Sequence, residues 1–297
     1  MPHTYTPLRY PGGKAKLGPF LSSLFKMNRL LDGDYAEPYA GGAGAALFLL
    51  FRGYAAHIYL NDIDVRISSF WKAILEQNDR FANLIERVPL SLDEWDRQKE
   101  TCQCADGGFD LGFAFFYLNR TNRSGIMNGG VIGGRSQEGK WGIDARFNRA
   151  TLAERVRTIG AMKNRISVSN EDAIDFINGF KPSIPRRSLM YLDPPYYNKG
   201  RQLYTNFYTP TDHINIAERL KLLNSPWLLT YDDCAEIREL YKEFPILESE
   251  LSYSAREVRR GRELVVLGGG LKVPIPSSIH TKHEQGFKIL QSQLLSS

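Results

Sequence analysis

The chain has 297 residues, 42% hydrophobic and 24% charged, the composition of a soluble globular protein with room for one large core or two modest ones. No apolar run is long enough to span a bilayer, and Met1-Pro2-His3-Thr4 lacks the charged-then-apolar pattern of a signal peptide, so a cytoplasmic protein is expected. Cys102, Cys104 and Cys234 are odd in number and form no paired C-x-x-C cluster, which argues against a disulfide framework or a zinc site; the net charge of +5 permits an anionic partner without identifying one.

In chain order, the first feature is Leu8-Arg9-Tyr10-Pro11-Gly12-Gly13-Lys14, where Pro-Gly-Gly lets the backbone bend closely around a ligand or make a plain surface turn. Tyr35 to Leu47 then reads as a strand end at Glu37-Pro38-Tyr39, a small-residue turn at Ala40-Gly41-Gly42-Ala43-Gly44, and a helix running through Phe51. Such a turn brings a ligand close to backbone N–H groups at a helix N-terminus, although the spacing is not that of a P-loop. A second strand, Ala56 to Leu60, ends in Asn61-Asp62, and Asp62 falls 18 residues after Gly44. An acid there is placed to accept from a ribose diol; the competing role is the N-cap of the helical pattern that starts at Ile63-Asp64-Val65.

Three more strands fit the same alternation: Arg165–Ser169 ending in Asn170-Glu171-Asp172, Leu189–Leu192, and Trp227–Tyr231 ending in Asp232-Asp233, with helical patterns at 172–179 and 211–223. Strands alternating with helices predict a doubly wound parallel sheet. Ile246–Tyr253 and Glu263–Leu267 flank a basic turn and predict a closing antiparallel pair. Between Asp62 and Arg165 the alternation is lost, so residues 66–164 read as a helical insertion into a discontinuous α/β unit made of 1–65 and 165–270, with 271–297 a polar tail of no assigned role. The insertion has split charge: residues 71–118 hold five Lys/Arg against nine Asp/Glu, and residues 119–165 hold ten against three. Its basic half carries Asn119-Arg120-Thr121-Asn122-Arg123 ahead of seven glycines between Gly125 and Gly142, a loop suited either to a nucleic-acid backbone and base edges or simply to solvent.

The stretch with the most chemistry is Ser188-Leu189-Met190-Tyr191-Leu192-Asp193-Pro194-Pro195-Tyr196-Tyr197. Its apolar run suits a strand covered on both faces, and two prolines stop it, leaving Asp193 at the carboxyl end, where open α/β sheets bind ligands. The glycine turn has no lysine to cradle phosphates, so an adenosine-bearing cofactor without a pyrophosphate is expected, and S-adenosylmethionine meets that description. A conjugated amine such as adenine N6 would then be the methyl acceptor. Its two N–H groups would be accepted by the Asp193 carboxylate and the Pro194 carbonyl, with Tyr196 stacking the base. A base in a duplex must be flipped out to reach such a pocket. Tyr204, Phe207 and Tyr208, beside Lys199 and Arg201, are candidates to close over it, core packing being the alternative for Phe207.

These motifs together resemble the Dam-like DNA adenine-N6 methyltransferases (the D12 class, α group), in which the recognition insertion precedes the catalytic motif. The resemblance rests on Arg9 to Lys14, Glu37 to Gly44, Asn61-Asp62, Asn170-Glu171-Asp172, Asp193-Pro194-Pro195-Tyr196 and Arg259 to Leu264. It implies a Rossmann-like, seven-stranded mixed sheet with an inserted, mostly helical target-recognition domain. It further implies S-adenosylmethionine held by Tyr10, Gly12, Lys14, Glu37, Pro38, Tyr39, Gly41, Gly42, Asp62, Asp172 and Asp193, with Asp62 on the ribose, Asp172 near the adenine, and Lys14 at the methionine end. Duplex DNA would meet Asn119, Arg120, Arg123, Lys199, Arg201 and Arg259, and a cognate restriction endonuclease would be a further partner. Met127 to Gly142 departs from the segment associated with GATC-reading members. Cytosine N4 or an RNA amine is the alternative acceptor, and a non-catalytic DNA-binding module is the alternative from another class.

Overall fold

The computed structural model describes residues 5–9, 14–183, 187–197, 208–252, 260–273 and 287–290. Strands β1 (Gly33–Glu37), β2 (Ala55–Asn61), β3 (Ile166–Ser169), β4 (Ser188–Leu192), β5 (Trp227–Asp232), β6 (Ile246–Ser252), β7 (Arg260–Gly268) and β8 (Phe287–Leu290) form one sheet in the order β3-β2-β1-β4-β5-β7-β6-β8. The first five pair in parallel, while β7 enters antiparallel between β5 and β6. The seven expected strands are thus β1 to β7, with the expected antiparallel closing pair. β8 comes from the polar tail and adds an edge antiparallel to β6.

Both faces of the central strands are covered, which is why they read as continuous apolar runs. All five residues of β4 and all six of β5 are buried. Side chains alternate between two cores: Leu189, Tyr191 and Leu228 face one, and Met190, Leu192, Trp227 and Leu229 face the other. The first core is closed by α1 (Gly18–Met27), α2 (Gly44–Phe51) and the helices of the insertion. The second is closed by α8 (Ala173–Gly179), α9 (Pro210–Lys221) and α10 (Ala235–Leu240). Helix α9 starts where its chemistry says it should, with Pro210 in the first turn and a reciprocal capping box between Thr209 and Asp212.

The segment that breaks the alternation folds as α3 (Val65–Glu76), α4 (Asn78–Arg87), α5 (Leu92–Cys104), α6 (Gly108–Thr121) and α7 (Arg149–Gly160). Phe70, Phe81, Phe113 and Phe116 interlock there, with centroids 5.2–6.1 Å apart. Each is buried, and each such side chain contributes about 1.5–3 kcal/mol of transfer free energy. Helix α6 approaches α3 so closely that a Cβ at Gly112 would lie 2.6 Å from the Ser69 carbonyl oxygen. Among the described residues, the three cysteines are free thiols and no helix is long and apolar enough to cross a membrane.

Candidate active site

Topology locates the site before any side chain does. From β1 the chain lays β2 and β3 to one side, then returns to place β4 and β5 on the other, so the order reverses between β1 and β4. These two strands pair with Ala36 opposite Met190, which brings Glu37-Pro38 and Asp193-Pro194 to the same carboxyl edge. A crevice outside the strand ends at such a reversal is where open α/β sheets bind ligands.

The turn after β4 is held from β5. Thr230 Oγ1 donates to Asp193 Oδ1 at 2.7 Å and lies 2.9 Å from the Tyr191 hydroxyl. Two residues on, and so on the same face of β5, Asp232 Oδ1 accepts the N–H of Tyr197 at 2.9 Å. Lys14, from a 3-10 turn at Lys14–Leu17, reaches into this corner: its Nζ lies 3.2 Å from Asp193 Oδ1, 3.1 Å from Glu263 Oε2 and 3.3 Å from the Tyr196 hydroxyl. The Tyr196 hydroxyl itself donates to Glu263 Oε1. Asp193 keeps 23% of its side-chain surface exposed, against 9% for Lys14 and 2% for Glu263, so the carboxylate of Asp193 is the open end of the cluster. Both contacts to Asp193 fall on Oδ1; among the described residues Oδ2 accepts no hydrogen bond. Burial, then the charge of Glu263, raises the Asp193 pKa against the opposing pull of Lys14 and Thr230. Burial alone would lower the Lys14 pKa, but Asp193 and Glu263 outweigh it and raise it.

Asp62 sits at the end of β2 with Oδ2 accepting from Gly41 N at 2.9 Å and Oδ1 from Asp64 N at 3.0 Å. It is not the cap of α3: Asp64 is, accepting from Arg66 N. Burial raises the Asp62 pKa to about 7 in spite of those two amides. Each oxygen takes one amide and keeps a lone pair for a hydroxyl, and on this geometry the residues fit a ribose diol. Asn61 braces the same corner, donating to the carbonyls of Pro38 and Glu171 at 3.1 and 3.0 Å.

Other candidates are placed differently. Glu37 is buried, accepts on Oε1 from the Tyr35 hydroxyl at 2.9 Å and from Ala46 N at 3.2 Å, and is pushed up to about 8 by burial. Pro38 is buried behind it; Gly41 and Gly42 lie in the turn, Gly41 with a φ of 46°. Tyr39 is held by Tyr208, hydroxyl to hydroxyl at 2.7 Å. Asp172 is exposed and caps α8 through Ile174 N at 2.8 Å. Asn119, expected at DNA, is buried: its amide donates to the carbonyls of Arg9 and Gly125 at 2.8 and 3.0 Å and accepts from Arg9 N at 2.7 Å. Every hydrogen-bonding direction but one is used inside the protein, so it fastens the N-terminal segment to α6. Arg120 bonds the carbonyl of Arg146 at 2.8 Å, while Arg123 is exposed beside the glycine-rich loop. Tyr10, Gly12, Lys199, Arg201, Tyr204, Phe207 and Arg259 lie outside the described residues.

Sequence reasoning missed Thr230 and Glu263. Glu263 had a visible signal: it is the acid immediately before the apolar run Leu264–Leu267 of β7, and it pairs opposite Asp232 at the same sheet edge as Asp193.

The doubly wound sheet with its closing antiparallel strands, and an Asp-Pro-Pro-Tyr turn at the point of reversal, define a Rossmann-like α/β protein with a ligand crevice at the carboxyl edge of β1 and β4. A family model described as D12 class N6 adenine-specific DNA methyltransferase matches residues 10–255. The chain belongs to that family and is an adenine-specific DNA methyltransferase. No curated protein matches the sequence significantly. Among solved structures, a candidate RNA methyltransferase from Pyrococcus horikoshii is similar at 10% identity and a TM-score of 0.42, over 88% of this chain and 85% of that one. A candidate class I S-adenosylmethionine-dependent methyltransferase from Listeria monocytogenes gives 9% and 0.35, over 86% and 62%.

Proposed function

We propose that the protein methylates the N6 amine of an adenine turned out of duplex DNA, with S-adenosylmethionine as donor, Asp62 holding its ribose and Asp172 near its adenine. The observation that carries this reading is the asymmetry of Asp193: Oδ1 is tied to Thr230 and Lys14, and Oδ2 takes no bond among the described residues at the open edge of the sheet.

The chemistry that S-adenosylmethionine supplies when bound is an electrophilic methyl group. Asp193 Oδ2 and the Pro194 carbonyl would accept the two N–H groups of the amine, concentrating its lone pair and stabilising the positive charge that grows on nitrogen; the N–C bond forms as the S–C bond breaks with its electron pair left on sulfur, and the nitrogen then loses one of those two protons. Tyr196, anchored through its hydroxyl, offers a fixed ring to the base. An acceptor geometry of this kind needs no nucleophile and no metal ligand from the chain. Residues 66–164 act as the target-recognition part. Support comes from the charge of its basic half, where residues 119–165 hold ten Lys/Arg against three Asp/Glu and Arg123 is exposed beside the glycine-rich loop.

The test is methylation of plasmid DNA in cells, read base by base by single-molecule sequencing, for the wild type and Asp193→Ala. N6-methyladenine at a recurring sequence, lost in the variant, supports the reading. Modified cytosine, or methylation by Asp193→Ala at a near-normal rate, overturns it.

A further inference from the structure

We propose that Glu263 is a positioning residue for methyl transfer, holding Lys14 and Tyr196 so that Asp193 presents Oδ2, and not Oδ1, to the target amine. This rests on the reading of Asp193 given above.

Glu263 is the most deeply buried member of the cluster, on a strand that shares no turn with the Asp-Pro-Pro-Tyr motif. Its Oε1 takes the Tyr196 hydroxyl, and Lys14 Nζ spans both oxygens, at 3.3 Å from Oε1 and 3.1 Å from Oε2. Lys14 in turn meets Asp193 Oδ1, so a single buried carboxylate fixes both the base platform and the counter-ion of the acceptor.

The charges explain why an acid is needed there. Methyl transfer to a neutral amine builds positive charge on nitrogen, and an ammonium beside the acceptor opposes that. Lys14 with Asp193 alone would be a neutral pair, its ammonium free to saturate the carboxylate. With Glu263 the three carry a net charge of −1, and the ammonium is shared away from Asp193. Lys14 then orients the acceptor without cancelling it. Among the described residues, the other titratable groups that feel the Asp193 charge are Tyr35 and Glu37 on β1 and Tyr191 on β4. None of them brings a positive charge.

The experiment measures single-turnover methyl transfer against pH, with saturating S-adenosylmethionine and DNA, for wild type, Glu263→Gln, Lys14→Gln and Asp193→Asn. Glu263→Gln is expected to lower the plateau rate on the order of tenfold or more and to move the acidic limb of the profile to lower pH, since a like charge next to Asp193 is gone. Lys14→Gln should move that limb the other way. A plateau and acidic limb unchanged in Glu263→Gln, with Asp193→Asn inactive, overturns the inference alone. An active Asp193→Asn overturns the reading beneath it. Should Glu263→Gln fail to fold, Lys14→Gln and Tyr196→Phe provide the same test: losses that combine less than additively support a shared anchor, and additive losses overturn it.

Discussion

Glu37 Oε1 accepts the backbone N–H of Ala46 at 3.2 Å, so the last residue of β1 caps the helix that follows it. The residue at the cap position of α2, Ala43, has a φ of 46° and no side-chain acceptor of its own. Its neighbours explain the substitution: a small-residue turn keeps the backbone tight, and the acceptor has to come from elsewhere. Glu37→Ala leaves a buried N–H and the Tyr35 hydroxyl without a partner, at about 1–3 kcal/mol each. A clear fall in the melting temperature is expected, with Glu37→Gln falling less. A Glu37→Ala variant that melts like the wild type would remove the capping role.

The same residue gives a pH dependence of fixed sign. Burial raises Glu37 from 4.5 to about 8. The folded protein therefore holds this proton more tightly than the unfolded chain. The resulting stability is fully present below the unfolded pKa and is lost as the pH rises through about 8. Melting temperatures measured from pH 5 to 9, as the difference between wild type and Glu37→Gln, should show the wild type losing its advantage toward alkaline pH. A difference that grows with pH contradicts the assignment.

Asp62 follows the same sign for stability, since burial raises it to about 7. Binding runs the opposite way. A diol donates to a carboxylate better than to a carboxylic acid, so affinity for S-adenosylmethionine should improve as the pH rises through about 7. Hydrogen bonds to a charged group are each worth about 1.5–3 kcal/mol, and Asp62→Ala is expected to weaken binding by at least about tenfold. Calorimetric titration of wild type and variant at two pH values measures both effects. Equal affinities would place the ribose elsewhere.

Much of this fold was legible because its signals are local. The apolar runs at 189–192 and 227–231, the stops at Asp193-Pro194 and Asp232-Asp233, and the loss of alternation after Asp62 are each visible in a window of a few residues. The site was less legible because its assignments depend on pairing. Asp62 reads as either a ribose acceptor or a helix cap until the structure gives Asp64 the cap and Asp62 the Gly41 amide. Glu37 reads as a ligand residue, and its two partners on Oε1, the Tyr35 hydroxyl and the Ala46 amide, are a capping role that the sequence does not announce. Thr230 and Glu263 come into view only once β5 and β7 are laid beside the turn, a relation between segments far apart in the chain.

Asn119 and Arg123 sit four residues apart in a segment that reads as one basic recognition element, yet the structure separates their roles. Asn119 is buried, donates to the carbonyls of Arg9 and Gly125 and accepts from Arg9 N. Asn119→Ala strands buried backbone groups and should destabilise the protein by about 1–3 kcal/mol for each one left unsatisfied. It should loosen the N-terminal segment that carries Lys14 and leave the salt dependence of DNA binding unchanged. Arg123 is exposed, and its backbone N–H pairs with the Gly130 carbonyl at 2.9 Å, so the loop holds its main chain and leaves its head group to solvent. Arg123→Ala should leave the melting temperature within about 0.5 kcal/mol of wild type in stability. If its guanidinium meets a phosphate, the slope of log affinity against log salt drops by about one. Filter binding across a salt series, paired with thermal melts, separates the two variants: a changed slope for Asn119→Ala, or an unchanged one for Arg123→Ala, would reverse their assignments.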